Sequence, residues 1–152
     1  MSPASRYALA ESGALMSGAM SSIGEVAERI GLSFRTIRYY EEMGLAVPSA
    51  RTKGGHRLYS EVDVDRLRLI MKMKPLDFTL EEMRAVLASL DLVRDEGAPP
   101  AERATARETL EGYRILIEDR LGWLHERLAI AHDFRRHLDS ELRGSATDIA
   151  AT

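Results

Sequence analysis

The sequence predicts a mainly α-helical chain: a small domain of short helices with one β-ribbon, then a single long helix. Three observations carry this. Ser22 and Ser33 each stand ahead of a short helical pattern, with Gly31 between them. Gly54-Gly55 separates two short extended runs. From Leu110 onward, apolar residues return every seven positions.

Ser22 is placed as an N-cap, and Glu25 three residues on completes a capping box. Ile23, Val26, Ala27 and Ile30 follow at helical spacing. Gly31 ends that helix, because glycine accepts the left-handed conformation of a C-cap. Leu32 turns inward and Ser33 caps a second helix, from Phe34 to about Gly44. Two helices joined by so short a Gly-containing turn form a helix-turn-helix unit. On the second helix Arg35, Arg38 and Tyr39 share a face, since residues three and four apart are neighbours. Ile37 lies on another face and enters the core. A helix that is cationic on one side and apolar on the other rests on a small domain and presents its polar side to DNA. An ordinary helical hairpin with a solvated basic face is the plainer alternative for these two helices alone.

The next segment favours the DNA-facing reading. Gly54-Gly55 is a hairpin turn signal, both residues tolerating positive φ. It predicts a β-ribbon, or wing, carrying Arg51, Lys53, His56 and Arg57. The plainer reading is an exposed loop with scattered charge. With the helix residues Ser33, Arg35, Thr36, Arg38 and Tyr39, these wing residues make up the candidate DNA-binding set.

Ser60 with Asp63 starts a third helix carrying Val64, Leu67, Ile70 and Met71 on one side and ending near Lys74, where Pro75 interrupts. Thr79 caps a fourth, with Glu82 at N3, running through Met83, Val86, Leu87 and Leu90. Arg94 to Arg103, with Gly97, Pro99 and Pro100, reads as a loop.

The elements Ile23-Gly24-Glu25-Val26-Ala27, Thr36-Ile37-Arg38-Tyr39-Tyr40-Glu41, Gly44-Leu45, Gly55-His56-Arg57-Leu58-Tyr59, Asp63-Val64-Asp65-Arg66-Leu67 and Leu80-Glu81-Glu82-Met83-Arg84 stand in that order. Over about residues 21–90 the chain resembles the MerR family of bacterial transcription regulators. The resemblance implies a dimeric winged-helix protein acting on double-stranded operator DNA. The operator is a pseudo-palindrome in an overlong promoter spacer, which the protein bends and untwists for RNA polymerase. It implies that Arg35 and Arg38 sit on the recognition helix, that Tyr39 faces phosphates, and that Arg57 with its wing grips the flanking backbone. Tyr40 and Tyr59 stay open between core and contact. The chain departs from the family at Asp77, where glycine is frequent; Asp tolerates the left-handed region better than most residues. His56 stands where Tyr or Phe is also found.

A chain of 152 residues with 45% hydrophobic residues holds one compact domain plus an extension. It has no cysteine, which excludes disulfides and thiolate metal sites. The pI near 5.8 is acidic overall. From Arg29 to Arg57, however, six Lys/Arg face only Glu41 and Glu42, a local net of +4. A DNA footprint needs only one basic face. Residues 1–20, rich in Ala, Ser, Gly and Met, are expected to be a disordered arm and not a secretory signal. No stretch suggests a membrane span, and a cytoplasmic protein is expected.

From about Ala101 to Leu142 one helix is predicted. Leu110, Ile117, Leu124, Ala131 and Leu138 form one heptad row, and Arg114, Leu121, Leu128, Arg135 and Leu142 its companion. Such a seam must be covered, and its period matches a coiled coil. A helix folded back on its own chain is the alternative. In the MerR resemblance this helix pairs with its twin, so Leu110, Ile117, Leu121, Leu124, Leu128 and Leu138 are the dimerisation residues. Tyr113 and Trp123 lie beside the seam as candidate ligand-binding residues for an unidentified inducer, or as plain packing. His125 and His132 share a face but stand roughly 10.5 Å apart by the helical rise, too far for one ion. No metal and no cofactor is expected.

The layout is therefore an arm over 1–20, a winged helix-turn-helix DNA-binding domain over 21–91, a linker over 92–103, a coiled-coil dimerisation helix over 104–143 and a flexible tail over 144–152. The leading functional reading is a MerR-type regulator. A DNA-architectural or excision-type winged-helix protein is the alternative, which the long helix disfavours. An interaction scaffold is disfavoured by the basic face. Enzyme function is disfavoured because no nucleophile–base set or phosphate loop is present.

Overall fold

A short strand, β1 (Ser21–Ser22), leads directly into helix α1 (Ile23–Ile30). The capping box is built: the Ser22 amide donates to Glu25 Oε2 at 2.7 Å, and the Glu25 amide to Ser22 Oγ at 3.3 Å. Gly31 closes α1 at φ 71°, donating its amide to the Ala27 carbonyl. An L side chain is strained at that φ, so glycine ends the helix where a turn must begin. Helix α2 (Phe34–Glu42) starts at Ser33, whose hydroxyl accepts from the Thr36 amide at 3.1 Å. The computed structural model describes the backbone of residues 18–150 and the side chains of 18–144. Most of the arm expected over 1–20, residues 1–17, lies outside the described residues.

Strands β2 (Ala50–Arg51) and β3 (Arg57–Tyr59) form the ribbon, with Ala50 opposite Leu58 and Arg51 opposite Arg57. Gly55 supplies the positive φ, 82°. β1 adds to the other edge of β3, with Ser21 opposite Tyr59 and Ser22 opposite Leu58, giving the antiparallel order β1-β3-β2. Helix α3 (Glu61–Met73) begins with a second capping box, Ser60 with Asp63. A 3-10 turn over Lys74–Leu76 holds Pro75, and Asp77 follows in the left-handed region at φ 58°. Helix α4 (Leu80–Arg94) opens with reciprocal bonds between Thr79 and Glu82.

The chain divides into two units between Met83 and Arg84, inside α4. The core of the first unit comprises Val26, Ile37, Tyr40, Leu45, Tyr59, Val64, Leu67, Ile70 and Met73. Met73, one turn beyond Ile70, is buried where Met71 had been expected, and Met71 is only half-buried. Tyr40 and Tyr59 both belong to this core.

In the second unit helix α5 runs Pro100–Ala150. It starts within the stretch expected to be loop. Pro100 suits the first helical position, where its missing N–H is no loss. It also continues through Gly144, so residues 144–150 of the expected flexible tail are helical in backbone. Residues 151–152 lie outside the described residues.

Candidate nucleic-acid interface

Helix α2 is anchored from below. Ile37 and Tyr40 are buried, and this rotation turns Phe34, Arg35, Arg38, Tyr39 and Glu42 outward. Arg35 and Arg38, one turn apart, project from this exposed arc. Tyr39 leans on Tyr40, ring centroids 5.7 Å apart at 53°. Ser33 and Thr36 use their hydroxyls on each other, 2.9 Å apart, at the helix start.

The wing is tied to α2 through Glu41. Its carboxylate accepts from Arg57 Nε at one oxygen and from an Arg51 terminal nitrogen at the other, the latter at 3.0 Å. The Glu41 side chain is 15% exposed, Arg57 26% and Arg51 49%. Arg51 also donates to the Gly55 carbonyl at 3.0 Å, closing the ribbon tip on itself. The Thr52 and His56 backbones pair across the turn, and the His56 amide donates to Thr52 Oγ1 at 3.1 Å. The His56 imidazole lies against Gly54, where an added Cβ would meet its ring at 3.4 Å. Lys53 stands exposed at the tip.

The base of the wing is held from α3. Asp63 Oδ2 accepts from the Ser49 amide at 3.0 Å, the Ser49 hydroxyl at 2.5 Å and the Ser60 amide at 2.8 Å. One carboxylate thus caps α3 and fixes the entry to β2. Arg66 Nε donates to the Leu45 carbonyl at 2.5 Å, holding the turn after α2. Arg29 and Glu61 make a two-pronged pair at 2.7 and 2.9 Å, joining the end of α1 to the start of α3. That hydrogen-bonded pairing lowers the Glu61 pKa and raises that of Arg29. Burial pushes the Tyr59 phenol up, and its hydroxyl is among the buried polar atoms without a partner.

These pairings redistribute the local positive charge. Arg29, Arg51 and Arg57 all engage carboxylates. Among the described residues, Arg35, Arg38 and Lys53 make no ion pair, so they are the cations of the DNA-facing set left without a carboxylate partner. Sequence reading missed Glu41: it counted as a charge against the basic face, yet it fixes two of that face's arginines. Its partners lie ten and sixteen positions away, beyond any local pattern.

On α5, Leu110 and Ile117 are half-buried, while Leu121, Leu124, Leu128 and Leu138 are exposed. Tyr113 is half-buried and Trp123 exposed, with the Arg127 guanidinium 4.6 Å from its ring centre. In the first unit a cleft of about 310 Å³ opens beside Tyr39, Lys74, Asp77, Phe78, Thr79 and Met83. Among the described residues no helix is long and apolar enough to cross a membrane.

Residues 21–90 match the sequence model of a family described as the MerR HTH family regulatory protein. The mercuric resistance operon regulatory protein of Bacillus cereus is 47% identical over 97 residues, covering 64% of this chain and 67% of that protein. The HTH-type transcriptional regulator YfmP of Bacillus subtilis is 33% identical over 128 residues, covering 82% of this chain and 91% of YfmP. The HTH-type transcriptional activator TipA of Streptomyces coelicolor is 46% identical over 66 residues, and the match spans only 26% of that longer protein. A solved Listeria monocytogenes structure assigned to the MerR family of transcriptional regulators superposes with a TM-score of 0.67. It is 24% identical and covers 85% of this chain and 93% of its own, a likeness of fold.

Proposed function

Because this chain belongs to the MerR family of helix-turn-helix transcriptional regulators, we propose that it binds a pseudo-palindromic operator in a promoter spacer as a homodimer. It controls transcription there by distorting the DNA presented to RNA polymerase, in the cytoplasm. The observation that carries this reading is the exposed arc of Arg35, Arg38 and Tyr39 on α2, set beside a wing that Glu41 holds in place.

In this reading α2 enters the major groove. Arg35 and Arg38 reach base edges or phosphates, and Tyr39 offers its hydroxyl to the backbone. Lys53 and His56 at the wing tip, with Arg51 and Arg57 behind them, meet the flanking phosphates. Ser33 and Thr36 lie at the groove-facing start of the helix. The seam of Leu110, Ile117, Leu121, Leu124, Leu128 and Leu138 pairs two chains, and it sets a fixed distance between two readers. Four of the six seam residues being exposed in the single chain supports this, since apolar surface of that extent calls for a cover. A rigid pair of readers meets both half-sites only if the DNA bends or untwists, at roughly 1–6 kcal/mol for a smooth bend. Phosphate contacts offset that cost. An inducer site at Tyr113 and Trp123 would need the paired helix to complete it, because ten residues separate the two by about 15 Å along one helix.

The test is operator binding by fluorescence anisotropy, with duplexes selected by the wild-type protein. Arg35→Ala/Arg38→Ala should lose binding, each base contact being worth roughly 1–3 kcal/mol. Wild-type affinity in that variant would remove α2 as the reader.

A further inference from the structure

We propose that Phe34 reads DNA: its exposed ring packs on the C5-methyl group of a thymine in each half-site. This rests on the reading above, that α2 enters the major groove.

Phe34 is the first residue of α2, directly after the N-cap Ser33. The residue is 48% exposed, while Ile37, three positions on, and Tyr40 are buried. It lies on the same outward arc as Arg35 and Arg38, and Arg38 follows it by one turn. So the arc that carries the exposed cations begins with a large apolar ring. The ring is held in place. A Cβ built on Gly24 would meet Phe34 Cζ at 3.7 Å, so the ring tip rests over the first turn of α1. One part of the ring is seated on Gly24 and the rest is presented outward.

The physics then selects a partner. A large apolar residue left about half exposed forgoes apolar burial. The N-terminal residues of a recognition helix are the ones that reach base edges. At those edges the one apolar group in the major groove is the thymine methyl, and phenylalanine is among the side chains that contact it. Arginines beside Phe34 address guanine or phosphate and are indifferent to that methyl. Phe34 therefore adds a base preference that the cations do not provide.

Replacing thymine by uracil deletes this methyl and nothing else. Wild-type protein selects its operator from random duplexes, and each thymine of the half-site is then replaced singly by deoxyuridine. At one symmetric position the wild type should lose about fourfold in affinity, the worth of one buried carbon. Phe34→Ala should bind the thymine operator more weakly and show no further loss with uracil. Phe34→Leu, which keeps an apolar side chain, should retain the uracil penalty and guards against a folding defect in the alanine variant. Indifference of the wild type to uracil throughout the half-site would overturn the assignment. So would an equal uracil penalty in wild type and Phe34→Ala. In both cases operator binding persists and the regulator reading stands. A wild-type protein that selects no sequence would instead defeat the regulator reading, and Phe34's role with it.

Discussion

Replacing Glu41 with alanine should loosen the wing from the reading helix, and the size of the effect follows from burial. The Glu41 side chain is 15% exposed and its partner Arg57 26%. Removing one member of a fully buried pair costs about 3–5 kcal/mol, because the other charge is left unpaired. Arg57 keeps some water, so about 2 kcal/mol is the expected share of that contact. The Arg51 contact, with Arg51 49% exposed, is screened and adds about 0.5 kcal/mol. The total is about 2–3 kcal/mol. Urea unfolding at fixed protein concentration reads it as a lower midpoint with an unchanged slope. Arg57→Ala should cost nearly as much, Arg51→Ala little. Glu41→Ala/Arg57→Ala should cost less than the sum of its singles, since the contact is lost once. Operator affinity should fall as well, although Glu41 is shielded from solvent and need touch no DNA. A Glu41→Ala protein within about 0.5 kcal/mol of wild type, the ordinary range for surface changes, would refute the clasp.

Three further outcomes follow from single features. Leu124 is 44% exposed in the single chain, so Leu124→Asp should sediment as monomer or unfold, since an apolar seam residue contributes roughly 1.5–3 kcal/mol; a stable dimer would place the interface elsewhere. Asp77 at φ 58° should tolerate glycine with no loss, whereas Asp77→Ala should lose about 1 kcal/mol in thermal unfolding. The Glu61 pKa is lowered, chiefly by its hydrogen bond with Arg29, so the pair stabilises the fold above the ordinary carboxylate range and loses that contribution as pH falls through the lowered value. Any stability gap between wild type and Glu61→Gln should therefore narrow on acidification, and a widening gap would contradict the pairing.

Much of the fold was legible because its signals are local. Ser22 with Glu25, Ser60 with Asp63 and Thr79 with Glu82 bond side chain to backbone across three residues, and each marks a helix start in the sequence itself. Gly31 and Asp77 mark ends by the φ they tolerate. What stayed hidden is non-local. Ser21-Ser22 has no alternating apolar pattern, and it becomes a strand only because β3 offers it an edge. Pro99-Pro100 reads as loop, yet α5 starts at Pro100, because proline's fixed φ also suits a first helical position. The candidate site divides the same way. Arg35, Arg38 and Tyr39 could be placed on one face by spacing alone. Glu41 could not be seen as a clasp, nor Phe34 as exposed, because both depend on which side of α2 the rest of the chain covers. Met73 replaced Met71 for the same reason: the covered arc of α3 extends one turn further along the line of Val64, Leu67 and Ile70.

The central proposal is that two readers held at a fixed distance deform the DNA between them. A fluorescent base analogue placed at the dyad of the selected operator tests this most directly, in the presence of wild-type protein and of Arg35→Ala/Arg38→Ala. Unstacking of the central step should raise its emission with wild type, in step with anisotropy, and leave it flat with the double variant. Saturated binding with unchanged emission at the dyad would contradict the distortion mechanism and leave a regulator that acts by occupying its site.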